Sequence, residues 1–255
     1  MDKVVIVIPT YNEAENISLL LDQLLILSRA IRKFSIRILI VDDNSPDHTG
    51  DIVHRYMSKY KNIEMLSGEK KGLGKAMVRG YTYAIGKLKA DIVVTNEADF
   101  GFDFKHLPLM LDKISEGYDV VVASRHVDGG STSGWTITRR LNHWVANSLF
   151  ATLVAGVNQV KDHNGAFRAI RVKGVLDKIN FDKLEVTGFG FFFFLIYRLT
   201  RITDKIYEFP TKFTFRTRGE SKVSFNKKYL FTYLRDIVEY IFLSFKIRLL
   251  RCRIK

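Results

Sequence analysis

Val4-Val5-Ile6-Val7-Ile8-Pro9 is an apolar run that stops at a proline, and residues 13–27 after it carry apolar side chains at helical spacing. The alternation repeats. Ile36-Arg37-Ile38-Leu39-Ile40-Val41 precedes a helical pattern over residues 51–60, and a second such pattern over residues 74–88 precedes Asp91-Ile92-Val93-Val94-Thr95. Residues 119–124 (DVVVAS) make a further strand. Apolar strands separated by helices predict an α/β fold, a mostly parallel sheet covered on both faces. Right-handed crossovers place the strand C-termini along one edge. Ligand chemistry is therefore expected at residues 9–13, 42–47, 96–103 and 124–140.

The second half is less regular. Gly129-Gly130-Ser131-Thr132-Ser133-Gly134 signals a loop, a helix is expected over about residues 139–153, and residues 188–198 are rich in aromatics, with phenylalanine at 191–194. No internal repeat or linker divides the first 225 residues, so residues 1–225 form one expected unit and residues 226–255 a tail. A single cysteine, Cys252, excludes an internal disulfide framework and a Cys-rich zinc module. No signal peptide or membrane-spanning helix is expected, since no window holds about 18 uninterrupted apolar residues.

The net charge of +13 points to an anionic partner: nucleic acid, nucleotide phosphates or an acidic membrane. Residues 227–255 hold eight Lys/Arg against two acids, so +6 of the +13 lies in the tail. There Leu230, Leu234, Ile237, Ile241 and Phe245 recur at helical spacing, and basic residues crowd the C-terminal end. Such a basic amphipathic helix either lies in a bilayer interface or docks on the domain.

Acidic clusters fall on the expected edge: Tyr11-Asn12-Glu13, Asp42-Asp43, Glu97-Ala98-Asp99 and Asp162. Carboxylates gathered there repel unless a cation or donor-rich ligand lies among them. Glu97 and Asp99, flanking one residue, can both face a hard cation such as Mg²⁺ or Mn²⁺. Gly72-Leu73-Gly74-Lys75 lacks Walker spacing and reads as a helix entry that brings backbone amides near a ligand. The six histidines show no metal-ligand spacing, and no Ser/His/Asp or Cys/His arrangement stands out.

Six blocks occur in order: residues 8–13 (IPTYNE), 41–47 (VDDNSPD), 71–76 (KGLGKA), 124–125 (SR), 162–168 (DHNGAFR) and 219–222 (GESK). Together they resemble the dolichol-phosphate mannose synthase group of the family 2 glycosyltransferases, over about residues 3–225. The resemblance implies a GT-A fold, a nucleotide-sugar donor (GDP-mannose), a divalent cation and a polyprenyl-phosphate acceptor. It implies that Pro9, Tyr11, Glu13 and Asp42 line the nucleotide pocket, with Asp43, Lys75, Ala98 and Asp162 also in the substrate site. Glu97 and Asp99 would hold the metal, and Arg125, Arg139, Arg216 and Lys222 would face phosphates.

An already ionised lipid phosphate needs no side chain to deprotonate it, so metal plus Arg/Lys fits the chemistry; the resemblance implies that the displacement is inverting, and it is expected at a membrane's cytoplasmic face. Three departures stand out: Glu97 where the family usually has Asp, Gly101 where glutamine is frequent, and Phe194 where glutamate is usual. Asp103 is a candidate to compensate for Gly101, and the Phe191–Phe194 run reads as lipid contact or as core. A UDP-glucose donor, a saccharide or protein acceptor, and a catalytically weakened nucleotide-sugar-binding protein are the competing readings. The tail acts on its own or with a membrane-anchoring subunit. Nucleic acid rests on charge alone, and the acidic edge argues against it.

Overall fold

The computed structural model describes residues 1–133, 135–184, 186–213 and 230–252. Seven strands form one sheet in the order β3-β2-β1-β4-β6-β5-β7. The strands are β1 Lys3–Thr10, β2 Ser35–Asp42, β3 Ile63–Ser67, β4 Ile92–Thr95, β5 Val120–Ser124, β6 Arg168–Arg171 and β7 Ile206–Pro210. Among the described strands only β6 runs antiparallel, wedged between β4 and β5.

Period-2 alternation sends successive side chains of β1 to opposite faces. Val4, Ile6 and Ile8 meet the layer that holds helices α1 (Ala14–Ala30), α2 (Thr49–Met57) and α4 (Leu107–Ser115). Val5 and Val7 meet the layer that holds α3 (Leu73–Gly86), α6 (Gly190–Thr200) and α7 (Leu230–Cys252). Both faces are thus apolar, which explains strands without hydrophobic–polar alternation. α1 shows the matching periodicity, burying Ile17, Leu20, Leu21, Leu24 and Leu25 on one stripe.

The structure corrects or resolves the sequence reading in four places. β3, β6 and β7 carry no apolar run that would announce them; β6 is Arg-Ala-Ile-Arg, and its fully buried Arg168 donates to the carbonyls of Phe192 and His163. The expected helix over residues 139–153 starts at Ile137, capped by the Thr136 hydroxyl, as α5 (Ile137–Trp144), and widens into a π-helix over Val145–Val154. Phe191–Phe194 are all buried within α6, so they are core and not a lipid surface. In α7 the buried positions are Asp236, Tyr240, Leu243, Ser244 and Ile247, whereas Leu234 and Phe245 of the expected stripe face outward.

Gly80 fixes how closely α3 approaches the sheet: a Cβ there would lie 2.5 Å from Val7 Cγ1 and 3.0 Å from Val41 Cγ2. Alanine gains about 1 kcal/mol of helix propensity over glycine, but overpacking against two fully buried valines costs about 1–3 kcal/mol. Gly80→Ala is therefore expected to lower stability in urea denaturation; an unchanged or higher midpoint would show that α3 can move outward at no cost.

Candidate active site at the strand ends

The ends of β1 and β2 are tied by Asp42. Its carboxylate accepts from Thr10 Oγ1 at 2.8 Å, from the Ser45 amide at 2.8 Å and from Ser45 Oγ at 2.6 Å, while Ser45 Oγ accepts from the Asn12 amide at 3.0 Å. Asn12 and Asn44 both adopt positive φ, a conformation asparagine tolerates better than most residues. Asp47 accepts from the amides of Ala14 (2.9 Å) and Thr49 (3.1 Å), so one carboxylate serves the starts of α1 and α2. Burial raises its pKa, and the hydrogen bonds from Thr49 and Ala14 reverse that to a net lowering. Glu13 is buried and accepts from Asn16 Nδ2 at 2.9 Å. Asp43 pairs with Arg79 at 2.6 Å, yet burial still lifts its carboxyl above the ordinary value. Beside this acidic wall the Lys70 ammonium sits 3.5 Å from the Tyr11 ring centroid. Pro9 lies in β1 in register with Val41.

Glu97-Ala98-Asp99 follows β4. Ala98 and Asp99 are buried, and the Gly101 amide donates to Asp99 Oδ1 at 2.9 Å. Phe100 has φ of 60°, an outlier for an aromatic residue, which bends the loop back. Gly101 has no room for glutamine: a Cβ would lie 2.4 Å from Phe213 and 3.0 Å from Asp99 Oδ1. Asp103 is turned away to cap Lys105, accepting from its amide at 2.9 Å and pairing with its ammonium at 2.8 Å. Glu97 and Asp99 bring hard carboxylate oxygens to this strand end, the donor type that Mg²⁺ or Mn²⁺ takes, and among the described residues no third acid or histidine joins them in a metal-ligating group.

After β5 the character changes to basic. Asp162 is fully buried, and its carboxylate accepts from the Arg125 amide (3.0 Å), Arg125 Nε (2.7 Å), Arg125 Nη2 (2.7 Å) and the Asn164 amide (3.3 Å). Burial alone would raise its carboxyl; the Arg125 guanidinium overrides that and holds it well below the usual range. The Arg125 guanidinium carbon lies 5.2 Å from the ring centroids of Phe102 and Trp135. Arg139 stacks on the other side of this cluster, 4.4 Å from the Trp135 ring. Lys75 instead donates to the Leu184 carbonyl at 3.3 Å, and Arg216 and Lys222 lie outside the described residues.

Sequence reading missed a histidine pair. His126 and His143 stack with centroids 5.0 Å apart, and with Asp162 they bring ligand atoms within 4.8 Å of one another. A divalent cation does not suit this cluster, because the Asp162 carboxylate already accepts four hydrogen bonds and the nearest charge is Arg125. Burial, aided by Arg125, lowers the pKa of both imidazoles and keeps them neutral at pH 7. No spacing signal could have found them, since 17 residues and a turn of chain separate the two.

Acids on β1, β2 and β4 and arginines after β5 thus share one edge. The Glycosyl transferase family 2 model matches residues 5–178. The chain belongs to glycosyl transferase family 2. It is 33% identical over 223 residues to an undecaprenyl-phosphate mannosyltransferase of Micrococcus luteus, covering 87% of this chain and 88% of that protein. It is 31% identical over 235 residues to a dolichol-phosphate mannosyltransferase of Pyrococcus furiosus, covering 92% of this chain but only 62% of that protein. Among solved structures, mannosyl-3-phosphoglycerate synthase from Rubrobacter xylanophilus shares the fold at TM-score 0.63 and 18% identity, over 96% of this chain and 74% of that one. A Pyrobaculum calidifontis mannosyltransferase in complex with GDP-Man and Mn²⁺ does so at TM-score 0.56 and 13% identity, over 96% and 72%. The fold is GT-A-like, as the ordered blocks imply.

Two outcomes test this geometry. Asp162→Ala leaves the Arg125 guanidinium buried without its partner and is expected to cost about 3–5 kcal/mol in urea denaturation; a loss under about 1 kcal/mol would contradict a buried, fully paired ion pair. In the unfolded chain His126 and His143 take protons near about pH 6.5, and in the fold only at lower pH. As pH falls through that value the unfolded state binds more protons, so stability falls. His143→Phe should flatten this loss by up to about 1.4 kcal/mol per pH unit, measured by denaturation between about pH 7.5 and 5.5.

Proposed function

We propose that this chain is a metal-dependent, inverting hexosyltransferase that moves mannose from GDP-mannose to a polyprenyl phosphate such as dolichyl phosphate. The observation that carries the reading is the pairing, on one sheet edge, of the acidic ends of β1, β2 and β4 with Arg125 and Arg139. The two mannosyltransferase relatives, named for polyprenyl-phosphate substrates, support the acceptor class. In the reaction an oxygen of the lipid monophosphate forms a bond to the anomeric carbon. The bond from that carbon to the nucleoside diphosphate breaks, and its electron pair leaves with the diphosphate. The acceptor is largely dianionic at neutral pH, its second pKa being about 6, so no side chain has to take a proton.

Each residue then has a defined task. Asp42, anchored by Thr10 and Ser45, accepts from the base; Pro9, Tyr11 and Glu13 complete that wall, with Asp43 and Lys75 at its margin. Glu97 and Asp99, on either side of Ala98, would hold Mg²⁺ or Mn²⁺, which would supply charge neutralisation to the diphosphate. Arg125 and Arg139, with Lys222 and Arg216 from the resemblance, bring the two anionic reactants together. Asp162 acts through Arg125 and is a positioning residue. Residues 1–225 form the catalytic unit, and residues 226–255 attach it peripherally to the cytoplasmic face of a membrane, alone or with an anchoring subunit. Among the described residues no helix is long and apolar enough to cross a membrane.

The test is a product assay with labelled GDP-mannose or UDP-glucose, dolichyl or undecaprenyl phosphate, and Mn²⁺ or Mg²⁺. The expected product is mannosyl-phospholipid, and Asp99→Asn should lower its rate by about 10²–10³-fold. Turnover of UDP-glucose alone would overturn the donor, and nucleotide binding without any lipid product would overturn the enzyme.

A further inference from the structure

The N-cap residue of α6, Phe189, has no side-chain acceptor with which to cap the helix, and the chain entering α6 is held by α7 instead. The Glu239 carboxylate accepts from the Thr187 amide at 2.8 Å, from Thr187 Oγ1 at 2.7 Å and from the Gly188 amide at 3.4 Å. Asp236, one turn earlier on α7, is buried against Gly188, where a Cβ would lie 2.5 Å from its Cγ, and it hydrogen-bonds the Phe189 backbone. Two acids of one helix thus meet the positive end of another. Tyr240 completes the seat by stacking on Phe193, with ring centroids 4.8 Å apart.

The same short segment touches the start of α3. The Thr187 carbonyl accepts from the Gly74 amide at 2.8 Å, one of the opening amides that α3 cannot satisfy itself. Gly72, at φ of 98°, and Gly74 lie so close that a Cβ on them would collide with the carbonyl oxygens of Thr187 and Val186, respectively. Lys75 donates to the Leu184 carbonyl just upstream. The chain leading into Gly72 runs along the acidic wall, with the Gly68 amide donating to the Asp42 carbonyl at 3.0 Å and Lys70 on the Tyr11 ring. Thr187 therefore gives its amide to α7 and its carbonyl partner to α3, so a shift of this segment reaches both. We infer that Glu239 is a positioning residue: through Thr187 it sets where the entry of α3 at residues 72–75 stands beside the nucleotide wall. α7 is then part of what shapes the donor side, in addition to any attachment by the tail. The place of residues 72–75 on the donor side rests on the reading above, whereas the order of that segment is measurable with no ligand present.

The test is amide hydrogen exchange on the full chain, followed by GDP and UDP titrations with Mn²⁺. Glu239→Ala removes three hydrogen bonds to a charged group and should speed exchange of residues 72–76 at least about tenfold. Glu239→Gln keeps an oxygen that can accept from both amides and should bring exchange back to within about threefold of the wild type. The nucleotide that the wild type binds should bind the alanine variant about tenfold more weakly, because the entry must be ordered on binding. Ile247→Val trims the buried side of α7 without touching Glu239; it should lower the urea midpoint and leave residues 72–76 and nucleotide affinity unchanged. Should Glu239→Ala fail to fold, Thr187→Val removes the hydroxyl hydrogen bond alone and should speed the same exchange by about threefold or more. Faster exchange confined to α6 and α7, with residues 72–76 at the wild-type rate, would overturn the inference and leave Glu239 a cap for α6. Equal loosening of residues 72–76 by Ile247→Val would overturn it too, since general destabilisation would then suffice. A wild type that binds neither nucleotide would remove the donor reading, while exchange still decides the positioning.

Discussion

Arg125 and Asp162 are buried together, and much of the basic half of the site inherits its position from them. Removing two such charges from water costs several kcal/mol per ion, which good geometry and complete hydrogen bonding must offset. Here two guanidinium and two amide hydrogen bonds saturate the carboxylate. The amides of Lys161 and Asp162 in turn donate to Glu208 of β7, at 2.7 and 3.0 Å. The end of β5, the loop before β6 and strand β7 are therefore fastened at one point. Phe102, Trp135 and Phe213 gather around the guanidinium, and Arg139 stacks on Trp135 and Phe213 from outside. A change at Asp162 would reach Arg139 through this stack without touching it.

The opposite half of the edge is organised by carboxylates that accept from backbone. Asp42 and Asp47 each bind two chain segments, so the loops after β1 and β2 form one rigid wall. A preorganised wall of this kind spends little reorganisation energy when a ligand arrives. Acid on one side and arginine on the other suit a reaction between two anions, one of them carried with a cation. Of the +13 net charge, +6 lies in residues 227–255 and +7 on the rest of the chain.

Strands β1, β2, β4 and β5 were legible in the sequence because they are buried on both faces and so read as apolar runs, with helices of clear period between them. β6 was not legible, since a buried Arg168 satisfied by two carbonyls looks in sequence like a surface charge. The phenylalanines of α6 were ambiguous for the opposite reason: apolar side chains fit a core and a bilayer alike, and only burial separates them. The acidic positions were readable from their places after strands. That Asp162 serves Arg125, that Phe213 fills the space at Gly101, and that His126 meets His143 all depend on long-range packing that no local spacing encodes. In α7 the stripe read through Leu234, Ile237 and Phe245 is exposed, whereas Tyr240, Leu243 and Ile247 pack the helix, because it carries apolar side chains on more than one side and spacing does not say which of them is buried.

On the proposed reading, Glu97 and Asp99 hold a divalent cation against the donor diphosphate, and Arg125 and Arg139 face that diphosphate. A crystal structure grown with GDP and Mn²⁺, with anomalous scattering recorded at the manganese edge, tests this directly. The expected peak lies against Glu97 and Asp99, with the diphosphate between them and the two arginines. A peak at His126 and His143, or a diphosphate away from the ends of β1, β2 and β4, would contradict the account.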